Sequence, residues 1–583
     1  MKNFLKTLLA VICGLIIVRL IGLFISFFML GSIALLGSGS TDIPSEGVLK
    51  LDMSKIAVSD QATQTLSSER ISIGLRKLIN AIDYAAEDPG VDYIYLKTDG
   101  TSAGIAAVQE IRAALARFRS SGKAIVAYME NPTTGTYYLA SVADKIYMGS
   151  YQGGTPVFNG ISSQLTFLGD ALDKIGIKVQ LIRHGKYKSA GEMYIRSSAS
   201  AENLYQNQVM VNSLWKSLAE EIAQSRGLEL SDLNELIDNL QLCLPEDFVS
   251  AGLVDGLLSR QDLEKQLARL GMKEEYADLK FIPFAEYAQQ KVKENFRSLQ
   301  KIAVVYACGQ VVDGVDLQNV DGDRFASILE EIYNDDRIEA VVLRVNSPGG
   351  SVVASEKIRQ MLDLIAEEKV LVASYGDYAA SGGYWISSGA DVIFADATTL
   401  TGSIGVFGMV PDLSKLYEET LHIGVQSVKS HEHSDMFNLS RPLDKKELDY
   451  MQRSIESIYT RFVSLVAESR DMSVEQVDEI AQGRVWTGRD ALEVGLVDYL
   501  GGLNEALGYA ASQIGSDISS VRVVEYPQEL TLMELISSSL GGMTNDYSVS
   551  AGWANFYKTW YENWQNGNME MVFATMPYMP VIR

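Results

Sequence analysis

The chain carries one pattern twice, and this duplication limits what it can fold into more than any other feature. Val91-Asp-Tyr-Ile-Tyr-Leu-Lys-Thr-Asp99 returns 247 residues later as Ile338-Glu-Ala-Val-Val-Leu-Arg-Val-Asn346. At the same offset Tyr128, Tyr137 and Asp144 meet Tyr375, Tyr384 and Asp391. Ala251-Gly-Leu-Val-Asp255 meets Val494-Gly-Leu-Val-Asp498 at an offset of 243. Two long helical patterns, about 204–224 and 445–469, each close on Ser-Arg. In the second copy the apolar runs Ile302–Tyr306, Ala340–Val345, Val370–Tyr375 and Val392–Ala395 are nearly continuous and rich in Val, as strands buried on both faces are. Between them, Val353–Glu368 places Ile358, Met361, Leu362 and Ile365 at helical spacing. Strand–helix alternation of this kind predicts an α/β fold with mostly parallel sheets, built as two tandem domains.

The remaining segments flank the two copies. Thr7–Gly37 is apolar apart from Arg19, long enough to span a bilayer, and follows Lys2 and Lys6. The positive-inside rule then keeps the N-terminus in the cytoplasm and exports the body. The expected organisation is an N-terminal tail and single-pass transmembrane anchor over 1–40, a first repeat over 41–295, a second over 296–515, and an extension over 516–583. That extension is rich in aromatic residues and lacks the repeat. The charge balance, 50 basic against 74 acidic residues, argues against nucleic-acid binding, which needs a basic footprint. Three cysteines without a CxxC pair offer neither a disulfide framework nor a zinc site. Calcium and nucleotide motifs are absent as well, so no cofactor and no metal is expected.

Two glycine turns in the second copy can carry chemistry. Asn346-Ser-Pro-Gly-Gly-Ser351 follows a strand and opens a helix, so its backbone N–H groups can bind negative charge. Ala379-Ala-Ser-Gly-Gly-Tyr384 sets a serine at another strand-to-helix turn, as nucleophile elbows do. Taken singly, the first reads as a plain turn and Ser381 as a helix N-cap. A nucleophilic serine also needs a base. Among the four histidines, no Asp–His spacing singles out His422, His431 or His433. The first copy offers Gly185-Lys-Tyr-Lys-Ser-Ala190, and a buried lysine can serve as a base. Comparing the copies sharpens this. Thr134 stands opposite Ser381, and Thr101-Ser102-Ala103 opposite Pro348-Gly-Gly, while Ser434 stands opposite Lys188 at the local offset of 246. Each copy keeps what the other lacks, which points to one composite site between them.

These residues resemble the long, duplicated form of the signal peptide peptidase A (protease IV) family, membrane-anchored bacterial serine peptidases of family S49. The resemblance runs through Tyr187-Lys-Ser-Ala190, Asn346–Ser351, Ala380-Ser-Gly-Gly-Tyr-Trp385, Leu400-Thr-Gly-Ser-Ile-Gly405 and Val485-Trp-Thr-Gly-Arg-Asp490. It implies a fold similar to the Clp protease subunit and the crotonases. It makes Ser381 the nucleophile, Lys188 the general base, and the N–H groups of Gly350 (with Gly349 beside it) and Gly382 the oxyanion donors. Ser403 and Ser189 would orient the lysine. It further implies a homotetramer on the outer face of the cytoplasmic membrane that degrades cleaved signal peptides and other apolar peptides. The competing readings are an inactive membrane-anchored scaffold, a crotonase-like acyl-CoA enzyme, and a Ser–His peptidase using His431 or His433.

Overall fold

The apolar runs singled out by the sequence become the central strands of two sheets, one per copy. The computed structural model describes residues 43–62, 70–151, 156–293, 295, 298–314, 316, 318–528 and 572–576. The expected membrane anchor lies outside them, and among the described residues no helix is long and apolar enough to cross a membrane. The first sheet runs Gly256–Leu258, Lys145–Gly149, Ile125–Met129, Val91–Lys97, Gly47–Asp52, Phe281–Pro283, with every neighbouring pair parallel. The second runs Val485–Thr487, Leu400–Gly402, Val370–Ala380, Ile338–Ser347, Lys301–Cys308, Arg522–Tyr526, with Val392–Ala395 branching from Val370–Ala380 and pairing in turn with Tyr499–Leu500. It is parallel except where Leu400–Gly402 meets Val485–Thr487.

The second sheet extends past the boundary expected from the sequence. Arg522–Tyr526, assigned there to the extension, pairs with Lys301–Cys308 just as Phe281–Pro283 pairs with Gly47–Asp52. An open edge presents unpaired backbone groups, and the next β-prone run covers it. The duplication also survives in detail. Tyr137 donates its hydroxyl to the Leu253 carbonyl (2.6 Å), and Tyr384 does the same to Leu496 (2.8 Å). Asp144 accepts from Ile125 N and Asp391 from Leu371 N.

Local sequence sets the helices that frame the site. Helix Val352–Glu368 starts at Ser351, whose hydroxyl accepts from Ala354 N, and buries Ile358, Leu362 and Ile365 against the second sheet. Helix Ala201–Arg226 starts at the Ser200 cap and ends at Gly227, whose φ of 66° suits glycine. It belongs to the first copy, yet it reaches the second: Ser213 hydrogen-bonds Thr487, and Glu220 pairs with Arg489.

Two further features join the copies into one compact unit over 46–583. Strand Lys178–His184 of the first copy lies outside the first sheet and pairs antiparallel with Val406–Asp412 of the second copy, at the end of a third, separate sheet. On strand Ile338–Ser347, the guanidinium of Arg344 is fully buried between Asp60 (2.7 Å) and Glu110 (2.5 Å), both from the first copy. Removing the cation strands two buried carboxylates. Arg344→Ala is therefore expected to cost about 3–5 kcal/mol, read as a fall in the urea midpoint; a loss under about 1 kcal/mol, the ceiling of an exposed pair, would show that the pair does not lock the copies.

Candidate active site

Strand Val370–Ala380, an interior strand of the second sheet, delivers Ser381 at its C-terminal end, where the chain turns sharply. Ser381 has φ 57° and ψ −112°, a conformation that non-glycine residues rarely adopt. The turn is held by Ser381 N donating to the Gly402 carbonyl and by the Ser381 carbonyl accepting from Trp385 N, each at 2.8 Å. The Ser381 hydroxyl does not cap the following helix Gly382–Ser387, so the N-cap reading fails. The two glycines after it are required by crowding. A Cβ on Gly383 would lie 2.7 Å from the Ser347 carbonyl oxygen, and one on Gly382 would lie 2.9 Å from Gly350 N.

Lys188 arrives from the other copy. The antiparallel pairing of Lys178–His184 with Val406–Asp412 carries the loop 185–191 across the boundary. Lys188 Nζ donates to Ser381 Oγ (2.8 Å), to the Ser403 carbonyl (2.9 Å) and to Ser403 Oγ (3.0 Å). Ser381, Lys188 and Ser403 are all fully buried. Two glycines make room for the lysine stem. A Cβ on Gly483 would lie 2.6 Å from Lys188 Cβ, and one on Gly405 would lie 3.3 Å from Lys188 Cδ. Burial alone pushes the Lys188 ammonium well below the usual lysine range, because the charged form loses its hydration.

The oxyanion candidates meet at the same point. Gly349 has φ +96°, and a Cβ there would lie 2.5 Å from Gly382 N. Its own N–H is already donated to Ser347 Oγ (3.2 Å), so among the three glycines Gly350 and Gly382 are better placed as donors. Strand Val572–Thr575, from the extension, pairs antiparallel with Gly349–Ser351 and with Val406–Asp412. The Ala574 carbonyl oxygen thereby sits at the junction of the glycines, 2.2 Å from a Cβ on Gly349 and 3.0 Å from one on Gly382. Met576 follows, its N–H on the Pro348 carbonyl, its side chain buried with Ala380, Leu400 and Val485.

Ser189 differs from expectation. Its hydroxyl bonds Asn203 (3.1 Å) and Gln206 (3.0 Å), not the lysine amine. Successive residues of a loop point different ways, and Ser189 faces helix Ala201–Arg226. Gln206 also holds the Tyr187 carbonyl, and Arg183 holds that of Lys188. Asn203 and Gln206 thus brace the lysine loop, and sequence reasoning missed them. Their signal was legible: two amides three residues apart on the buried face of a helix. The histidines stand apart from Ser381. His431 bonds Ser430, His184 stacks on Tyr459, and His433 bonds Glu447. His433, Asp444 and Glu447 are spaced for a cation, but Arg441 already pairs with Glu447 and Asp444 caps a helix.

The model of peptidase family S49 matches residues 117–273 and 364–516. The chain is 35% identical over 496 residues to Protease 4 of Haemophilus influenzae, across 81% of this chain and 80% of that protein. It is 34% identical to Protease 4 of Salmonella typhi, across 90% and 87%. It is 30% identical to the chloroplastic serine protease SPPA of Arabidopsis thaliana, across 83% and 72%. Among solved structures, a point mutant of ClpP1 from Listeria monocytogenes aligns with 35% of this chain and 93% of its own at 15% identity. Its TM-score of 0.24 is too low to assign a fold.

Proposed function

Because the chain belongs to peptidase family S49, we propose that it cleaves peptide bonds with a Ser381–Lys188 dyad assembled from its two copies. One observation carries this reading: Lys188 Nζ lies 2.8 Å from Ser381 Oγ in a fully buried pocket that favours the neutral amine. Neutral Lys188 takes the Ser381 proton as Oγ attacks the peptide carbonyl. The N–H groups of Gly350 and Gly382 hold the resulting oxyanion, at the junction that the Ala574 carbonyl occupies here as a stand-in for a substrate carbonyl. The ammonium of Lys188 then protonates the leaving amine. Water, deprotonated by the same lysine, releases the acyl group from Ser381. The Ser403 carbonyl and hydroxyl orient the amine throughout.

The substrates in this reading are cleaved signal peptides and other apolar peptides. The body lies on the outer face of the cytoplasmic membrane, tethered by the apolar segment 7–37, and works as a homotetramer. The apolar neighbours of Met576 support an apolar substrate, and the apolar N-terminal run supports the tether.

The test is the rate of cleavage of a fluorogenic apolar peptide between pH 6 and pH 10. A base that acts neutral requires activity to rise with pH through its depressed pKa and then level off. A rate that falls over that range, or that is already flat from pH 6, would rule out Lys188 as a base titrating in this window.

A further inference from the structure

Where the first copy lost its catalytic turns, the fold keeps a hollow. A cavity of about 560 Å³ lies between the copies, within the ~300–1,000 Å³ range of sites that take small ligands. One wall is the silent copy itself: Ala103 and Gly104 stand where the active copy has its glycine turn, and Thr133 and Gly135 flank Thr134, the counterpart of Ser381. The chemistry there has been removed. The first turn of helix Ile105–Ser120 donates Ala106 N to the carboxylate of Asp377 from the active copy (2.9 Å). A Cβ on Gly104 would overlap that carboxylate, at 2.0 Å. Among the described residues, Asp377 is the one carboxylate on the lining, and it is committed to this helix end. The rest of the wall is chiefly aliphatic, aromatic or threonine, with Ile105, Val108 and Tyr138 among its apolar members.

The cavity adjoins the active site. Leu214, Tyr378 and Leu400 line it, and the same three residues belong to the apolar cluster that buries Met576 beside Ala380, the residue before Ser381. These shared residues leave one layer of side chains between the hollow and the place that Met576 fills. We propose that the vestigial site of the first copy is a specificity pocket for the active one, taking a large uncharged apolar side chain of a peptide bound alongside Gly349–Ser351. This rests on the peptidase reading for its purpose, but it can be read without turnover.

Gly135 offers the test. It lines the cavity, and a Cβ there meets no atom within 4 Å, so bulk at this helical position fills the void without a backbone clash. Two fluorescein-labelled hexapeptides, Val-Phe-Ala-Thr-Met-Pro and Val-Phe-Ala-Thr-Trp-Pro, are titrated against the full-length Ser381→Ala chain in detergent, with binding read by polarisation. The chain's own tail competes equally with both, so their ratio is informative. The tryptophan peptide is expected to bind at least tenfold more tightly than the methionine peptide. Adding Gly135→Phe, or Gly135→Leu should the first variant melt early, is expected to abolish that preference. An absent preference in the parent, a preference that survives the filled cavity, or no binding of either peptide would overturn the proposal. A wild type that binds with this preference yet cleaves nothing would instead sink the peptidase reading and leave the pocket standing.

Discussion

Ser381→Ala is expected to lower peptide cleavage about 10⁶-fold, the scale seen when a nucleophile is removed from a serine peptidase. The same substitution should leave the fold unchanged. Ser381 N still donates to Gly402, and the Ser381 carbonyl still accepts from Trp385 N, so the turn keeps its backbone bonds. Lys188 Nζ still has the carbonyl and hydroxyl of Ser403. Any residual activity would reflect binding and oxyanion stabilisation alone. The measurement is kcat on a fluorogenic apolar peptide, beside a thermal melt of the same sample. More than a tenth of wild-type kcat in a folded sample would move the nucleophile elsewhere.

Lys188→Met should be equally silent in catalysis and should change stability with a distinctive pH dependence. Burial holds the folded-state pKa of Lys188 well below its ordinary value, while in the unfolded chain it returns to about 10.4. Between those two values the unfolded state binds a proton that the folded state does not. By linkage, wild-type stability then falls as pH drops from about 10.4 toward the folded pKa, by about 1.4 kcal/mol for each unit between the two pKa values. Methionine has no proton to bind and lacks this loss. The variant's stability relative to wild type should therefore improve steadily as pH is lowered from about 10, even though it forfeits the hydrogen bonds to Ser403. Urea unfolding at several pH values reads the gap. A gap independent of pH would mean that Lys188 stays charged in the fold, and an ammonium cannot accept the serine proton.

The duplication, the α/β class and the two side chains of the proposed dyad were legible because each leaves a local trace. Repeats leave matched strings, buried parallel strands leave continuous Val-rich runs, and a divided site leaves complementary losses such as Thr134 opposite Ser381 and Ser434 opposite Lys188. What joins those residues leaves no such trace. Ser381 and Lys188 are 193 residues apart, and they meet only because Lys178–His184 finds an open edge at Val406–Asp412. Backbone pairing has weak side-chain specificity, so that partner cannot be read from either string. The direction of Ser189 toward Asn203 and Gln206, the closing of the sheet edge by Arg522–Tyr526 and the seating of Ala574 among the glycines were settled by packing for the same reason. The sequence by itself determined which groups could react and which copy carries each. Only the tertiary structure decided that the lysine is dry enough to be a base, since depressing its pKa needs the stem sealed between Gly405 and Gly483 and the amine walled off from water.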